Sequence, residues 1–335
     1  MTIRFAAIGF NHPHIYGQVN TLLEAGAELV WYYAVEPDLI AEFVAKYPQA
    51  KRARAIDEIL EDESINLVTS ASIPIDRAPL GIRVMEHGKD YLVDKPGFAT
   101  LEQLAEVRRV QRETGRIYSV MFSERLSSPA TAKASELVQA GAIGRVMQTI
   151  GFGPHRMIGY APRPDWFFQK RYFGGILNDI ASHQVDQFLH FTGSTDAQIV
   201  AAQVANFHHP QYPELEDFGD MMLSSNNGTG YIRVDWFTPD GLKTWGDVRL
   251  FILGTDGFIE LRKNCDLEGR DGANHLFLVD QKGTRYMNCS DVVPPFGRQF
   301  LEDAQNRTET AMTQAHCFLA SELALRAQVQ ARRLA

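Results

Sequence analysis

The chain has 335 residues, with 33 basic and 41 acidic side chains (net charge −8), 45% apolar and 22% charged. That length suits about two domains, and the balance excludes disordered, collagen-like and coiled-coil chains. No apolar run approaches the roughly 20 residues of a membrane helix. A strand-like run, Ile3–Ile8, begins at once without the basic-then-apolar layout of a signal peptide. A soluble, cytoplasmic protein with no membrane partner is expected. The acidic balance and the lack of a dense Lys/Arg block argue against nucleic acid as a partner. Cys265, Cys289 and Cys317 have no C-x-x-C spacing and suit reduced thiols better than a disulfide or a zinc site.

In chain order, β-rich runs first alternate with helical patterns. Ile3–Ile8 precedes a helix at Ile15–Ala25, and Glu28–Val35 precedes a helix at Asp38–Lys46. Ile65–Ala71 is followed by a helix near Pro79–His87, Asp90–Val93 by a helix at Thr100–Glu113, and Ile117–Met121 closes the series. Such alternation predicts parallel strands with crossover helices, a doubly wound α/β domain over residues 1–122.

A second texture fills residues 123–335. A helix at Pro129–Ala140 leads to a strand, Gly144–Phe152, an aromatic loop to Phe173, and a helix through Phe191. Strand signals follow at Ile199–Phe207, Asp220–Ser224, Gly230–Phe237, Val248–Leu253, Phe258–Lys263, His275–Asp280 and Thr284–Asn288. Short turns such as Asn226-Asn227-Gly228 join several of them, so a mostly antiparallel sheet is expected. Helices near Pro295–Gln305 and Thr313–Arg333 end the chain. With no linker between the two textures, the domains are expected to share a cleft.

The turn after the first strand is where a dinucleotide fingerprint with three glycines belongs. The run here is Gly9-Phe10-Asn11-His12-Pro13-His14, in which only Gly9 matches. Asn11 tolerates left-handed geometry, whereas His14 cannot stand in for the packing glycine. Glu36 follows the second strand, where an acid accepts from the ribose hydroxyls of NAD and repels a 2′-phosphate. Equally, it is a helix-start acid beside Pro37. His12 and His14 need further metal ligands that the neighbouring sequence does not offer, so no metal is expected.

Two stretches carry chemistry. Asp94-Lys95-Pro96 lies at the carboxyl end of a parallel strand, where open α/β sheets bind ligands. Lys95 there can donate to a hydroxyl or carbonyl oxygen, or is an ordinary turn lysine. Gly174–Asp186 brings paired glycines into a helix on which Asp179 and His183 share a face, with Asp186 near the same stripe. A carboxylate beside an imidazole can manage a proton; the alternative is a wet polar helix face.

In this order the motifs resemble the Gfo/Idh/MocA oxidoreductase family. Asp94–Pro96 is similar to its E-K-P, and Gly174–Asp186 to its G-G-G-x-L-x-D-x-x-x-H-x-x-D helix. The resemblance implies a Rossmann domain followed by a C-terminal domain with a large open, mostly antiparallel sheet that often mediates oligomerisation. It also implies hydride transfer between a nicotinamide and a sugar, polyol or related carbinol. Lys95 would contact the reacting oxygen beside the nicotinamide, His183 would be the general acid/base, and Asp179 would bind a hydroxyl or orient the relay.

The cofactor residues expected are Gly9, Phe10, Asn11, His12, His14, Glu36, Ser72 and Lys95, for NAD with NADP left open. The substrate residues expected are Arg125, His155, Trp166, Asp179 and His183. Phe173 stands where a third glycine is usual before the helix, and Ile73-Pro74-Ile75-Asp76-Arg77 lacks the family's histidine, leaving that contact missing or taken by Arg77. His155, Arg156, Tyr160, Arg163, Trp166, Phe167, Phe168, Lys170, Arg171 and Tyr172 form an aromatic and basic stretch suited to a sugar or sugar acid, or to core and dimer contacts. A homo-oligomer, dimer or tetramer, is expected. Two further readings stay open: a lyase, hydrolase or epimerase that oxidises its substrate transiently, and a non-enzymatic sensor of a dinucleotide or ligand.

Overall fold

The computed structural model describes residues 2–157 and 163–334; Tyr160 lies outside them. The strands of the first half are β1 (Arg4–Ile8), β2 (Glu28–Tyr33), β3 (Lys51–Arg52), β4 (Leu67–Ser70), β5 (Asp90–Asp94) and β6 (Tyr118–Met121). They pair in parallel in the order β3-β2-β1-β4-β5-β6, so the direction of winding reverses between β1 and β4. Every residue of β4, β5 and β6 is buried, as expected for central strands covered on both faces. β3 is two exposed residues with no apolar pattern, which is why the sequence does not reveal it.

The crossovers contain α1 (His14–Glu24), α2 (Pro37–Lys46), α3 (Ile56–Leu60), α4 (Pro74–Glu86) and α5 (Leu101–Thr114). Local chemistry bounds α5: the Thr100 hydroxyl accepts from the Gln103 N–H, and Gly115 ends the helix at φ 64°. The helix expected to begin near Pro79 instead begins at Pro74. Pro79 sits inside it and cannot donate to the Ile75 carbonyl. That oxygen accepts from the Gln103 side chain at 2.8 Å, a long-range replacement that no local pattern foretells.

The second unit contains α6 (Ser123–Leu126), α7 (Pro129–Gln139), β7 (Val146–Pro154), α8 (Lys170–Phe173), a π-turn at Leu177–Ala181 and α9 (Ser182–Thr192). Then come β8 (Gln198–Ala205), β9 (Phe218–Ser224), β10 (Thr229–Asp235), β11 (Arg249–Gly254), β12 (Gly257–Arg262), β13 (His275–Asp280) and β14 (Gly283–Asn288). Helices α10 (Phe296–Asn306) and α11 (Gln314–Gln330) precede β15 (Arg332–Arg333). The sheet runs β14-β13-β12-β11-β7-β10-β9-β8-β15, antiparallel except for the pairs β7–β10 and β8–β15. Its inward residues Leu250, Ile252, Ile259, Leu261, Leu276 and Leu278 pack with Ala130 and Ala134 of α7 and Phe191 of α9. The last helix stops at Gln330, before the expected Arg333, because Arg332 and Arg333 pair with Gln203 and Val204.

The compact units do not follow the expected 1–122 and 123–335 division throughout. Residues 295–318 belong with the first unit, and 122–294 with 319–335 form the second. In the first unit, Arg307 reaches the Asp90 carboxylate at 2.8 and 2.5 Å, and the Gln314 side chain accepts from the Tyr118 N–H at 2.9 Å. These bonds span about two hundred residues of sequence, so composition along the chain cannot register them.

Candidate active site

In the first unit, the predicted cofactor residues gather at the carboxyl ends of the parallel strands. Gly9, just after β1, has φ +75°, and a Cβ there would lie 2.6 Å from Ser72 Cβ, so only glycine fits. Ser72 follows β4, and its N–H lies 3.2 Å from the Ser70 hydroxyl. Glu36 occupies the position before α2, after β2, and Asn11 Nδ2 donates to Glu36 Oε1 at 2.6 Å. The acid is thus held at the strand end where a ribose would lie. Phe10 departs from expectation in one respect: its ring is 2% exposed and stacks on Phe43 at 4.1 Å, so its side chain serves the core.

The loop itself is not a glycine cradle. The His12 N–H donates to the Ala71 carbonyl at 3.0 Å, and the His14 N–H points to His12 Nδ1 at 3.3 Å. Two amides that such a loop would aim at a diphosphate are therefore turned inward. The ribose end fits a nicotinamide dinucleotide, whereas the diphosphate end has been rebuilt around two imidazoles.

Asp94 ends β5 and Lys95 follows it, and both are buried. Arg77, in the segment that lacks the family's histidine, is 1% exposed. Its Nε donates to the Ser72 carbonyl at 2.8 Å, and its Nη1 lies 3.2, 2.5 and 3.1 Å from the carbonyls of Asp94, Lys95 and Pro96. Nη2 reaches Asp94 Oδ2 at 3.1 Å, and His14 Nδ1 lies 2.8 Å from Asp94 Oδ1. Burial alone would raise the Asp94 carboxyl, but the charges of His14 and Arg77 hold it well below the usual range. Burial, then the neighbouring His14, hold the His12 imidazole well below the histidine range against the pull of Asp94.

In the second unit, Gly174 and Gly175 turn the chain into the helix that carries Asp179 and His183, with φ +81° and +101°. A Cβ on Gly175 would collide with the Gln328 side chain. Gln328 accepts from the Leu177 N–H at 2.9 Å and donates to buried Glu216, which accepts from the Ile176 N–H at 3.0 Å. This anchoring precedes the π-turn on which Asp179 sits, and the wider turn interrupts the regular four-residue stacking expected between Asp179 and His183. The polar stripe is not a wet face: His183, Gln184, Asp186 and Gln187 are each at most 2% exposed. His183 meets the Phe122 ring edge-on at 6.4 Å, and burial lowers the Arg163 guanidinium against the attraction of Asp179.

The predicted substrate residues of this unit are not all placed alike. Arg125 makes a two-pronged pair with Asp186, at 2.7 and 2.6 Å. The His155 ring lies between Trp236 and Trp245, at 5.4 and 4.4 Å, and Trp166 is half-buried against Phe167. Beneath the stripe, Lys263 donates to the Glu124 carbonyl at 2.7 Å and to Gln187 Oε1 at 2.5 Å. Lys263, Glu216 and Gln328 carried no sequence signal, because each lies on an element remote from the motif it supports.

Comparison with known proteins completes the assignment. A crystal structure of a protein from Erwinia carotovora atroseptica superposes with a TM-score of 0.96 at 50% identity, covering 100% of both chains. Levoglucosan dehydrogenase in complex with NADH and levoglucosan superposes with a TM-score of 0.73 at 18% identity, over 100% of this chain and 92% of that one, which shows the fold alone. The scyllo-inositol 2-dehydrogenase (NAD(+)) of Bacillus subtilis is 25% identical over 73% of this chain and 66% of its own length. The D-xylose dehydrogenase of Paenarthrobacter nicotinovorans is 29% identical over 43% of this chain and 38% of its own length. The chain thus matches less than two thirds of the length of either curated relative. The model of an oxidoreductase family with an NAD-binding Rossmann fold matches residues 4–122, and that of the GFO/IDH/MocA C-terminal domain matches residues 131–260. The chain therefore belongs to the GFO/IDH/MocA family of NAD-binding oxidoreductases.

Proposed function

We propose that this protein is an NAD-dependent dehydrogenase or reductase acting on a sugar-, polyol- or sugar-acid-like carbinol. The observation that carries the reading is the convergence of Gly9, Asn11–Glu36, Ser72 and the Lys95 turn on one edge of the parallel sheet, at the point where its winding reverses. Bound NAD would supply the hydride acceptor. Glu36, fixed by Asn11, would accept from the ribose hydroxyls and disfavour a 2′-phosphate. Lys95 would donate to the reacting oxygen, His183 would take or return its proton, and Asp179 would orient that transfer. The burial of the His183 stripe supports this reading over a solvated helix face. The names of the inositol, xylose and levoglucosan dehydrogenases agree with the substrate class.

The test is nicotinamide absorbance at 340 nm with a panel of sugars, polyols and sugar acids. Turnover with NAD is expected, falling about 10²–10⁴-fold in Lys95→Ala and His183→Ala. Undiminished turnover in both variants overturns the residue roles. Absence of NAD binding by calorimetry overturns the reading itself.

A homo-oligomer is part of the same proposal. Across the outer sheet face, neighbouring strands align Met222, Tyr231, Ile150, Phe251, Glu260, Phe277 and Tyr286 in one row. Met222 and Tyr286 are 47% and 41% exposed, and the row is apolar or aromatic apart from Glu260, suited to a second copy. Light scattering that finds a monomer at working concentration removes this part. Among the described residues, no helix is long and apolar enough to cross a membrane.

A further inference from the structure

The sequence offers His12 and His14 no third ligand within reach along the chain. The structure brings one from eighty residues away. One ligand atom each of His12, His14 and Asp94 lie within 4.8 Å of one another, inside the first unit. His14 Nδ1 is 2.8 Å from Asp94 Oδ1, and His12 Nδ1 is 3.6 Å from Asp94 Oδ2. The two imidazole centroids are 4.0 Å apart.

Two features set this trio apart from a chance meeting of polar groups. The His14 N–H points to His12 Nδ1 at 3.3 Å, so that nitrogen presents a lone pair rather than a proton. It therefore has no proton to give Asp94 Oδ2, 3.6 Å away, and a cation entering between them would take the Nδ1 lone pair in place of the long contact from the His14 N–H. The second feature is the support behind the carboxylate. Buried Arg77 holds Asp94 Oδ2 at 3.1 Å and fixes the plane of the group, as outer partners do for metal ligands.

We propose that His12, His14 and Asp94 form a binding site for a divalent transition-metal ion. Two imidazoles and one carboxylate select zinc, manganese, iron(II), cobalt or nickel over magnesium and calcium, which prefer all-oxygen shells. Three protein ligands leave coordination positions open. Both histidines are only half-buried, so the open side can receive a further donor. Arg77 offsets the single carboxylate charge, so the affinity is that of a weakly charged site. The location gives the ion a use. Where a glycine loop presents amides to a diphosphate, this loop has turned two of them inward, and a cation would restore the positive charge for an anionic oxygen.

The site stands independently of the proposed dehydrogenase activity and is tested without it. Full-length protein, stripped with chelator and dialysed, is titrated with Zn²⁺, Mn²⁺, Co²⁺ and Mg²⁺ by calorimetry. One equivalent of Zn²⁺ or Co²⁺ is expected, with Mg²⁺ at least tenfold weaker. The bound Co²⁺ should show visible d–d absorption bands. His12→Ala and His14→Ala, each checked for folding by circular dichroism, should lose at least tenfold in affinity and lose the cobalt bands. Either no stoichiometric binding to wild type, or binding unchanged in both variants, overturns the site. A parallel NAD titration of the stripped protein separates the two readings. NAD binding without any metal binding removes the metal site and leaves the oxidoreductase reading, whereas metal binding without any NAD binding supports the site and removes that reading.

Discussion

Arg77 Nη1 donates to the Lys95 carbonyl oxygen at 2.5 Å while Nη2 of the same guanidinium lies 3.1 Å from Asp94 Oδ2. One buried cation therefore binds both the backbone and the preceding side chain of the turn that carries the candidate proton donor. Arginine does this because its planar fork presents five donors in fixed directions, which lysine cannot copy.

The Arg77 fork makes a distinguishable pair of variants. Arg77→Met strands the Asp94 carboxylate and several carbonyls, and should cost about 3–5 kcal/mol of stability, measured by urea unfolding. Arg77→Lys keeps the charge but not the fork. It should retain most of the stability and lose kcat with little change in KM, because the Lys95 turn is no longer fixed. Equal losses in stability for both variants would contradict the geometric account.

Cofactor choice should follow the Asn11–Glu36 bond. Glu36→Ala removes the acceptor for the ribose hydroxyls and should weaken NAD about tenfold, roughly 1.4 kcal/mol, while narrowing the gap to NADP. Asn11→Ala leaves the acid in place but unfixed and should show a smaller loss of the same sign. Calorimetric titration of both variants with NAD and NADP reads both effects.

The helix motif should be sensitive at Gly175. Alanine there is strained at φ +101° and collides with Gln328, which bonds both Leu177 and Glu216. A loss of about 1–3 kcal/mol is expected from the backbone conformation. Because the displacement reaches the turn that carries Asp179, turnover should fall while NAD affinity stays as in wild type.

Lys263 supplies a pH signature. Burial pulls its ammonium down to about 8, against the attraction of Glu124 and Asp186. In the unfolded chain a lysine titrates near about 10.4. Between those values the unfolded chain binds the extra proton, so this residue's contribution to stability rises with pH across that window and is least below pH 8. Lys263→Met has no such titration, so the stability difference between wild type and variant should widen from pH 8 to 10. At pH 7 the variant should already be about 3–5 kcal/mol less stable, since Glu124 loses its buried counter-charge. Thermal unfolding across that pH range measures both.

Much of the architecture was legible because it is periodic. Alternating β-rich and helical runs fixed the parallel sheet, and turns such as Asn226-Asn227-Gly228 fixed the antiparallel order of the second, since each depends on neighbours a few residues apart. The placement of Glu36 after β2, Lys95 after β5 and His183 on α9 followed from motif spacing on those elements. Long-range side-chain chemistry was not legible. Gln103 completing the helix around Pro79, Arg77 gripping the Lys95 turn, Gln328 pinning the Gly175 turn and Asp94 joining His12 and His14 all unite residues far apart in sequence. Local pattern encodes which face of an element is apolar. Which buried polar groups become partners is decided only when the packed chain must satisfy every donor and acceptor it has removed from water.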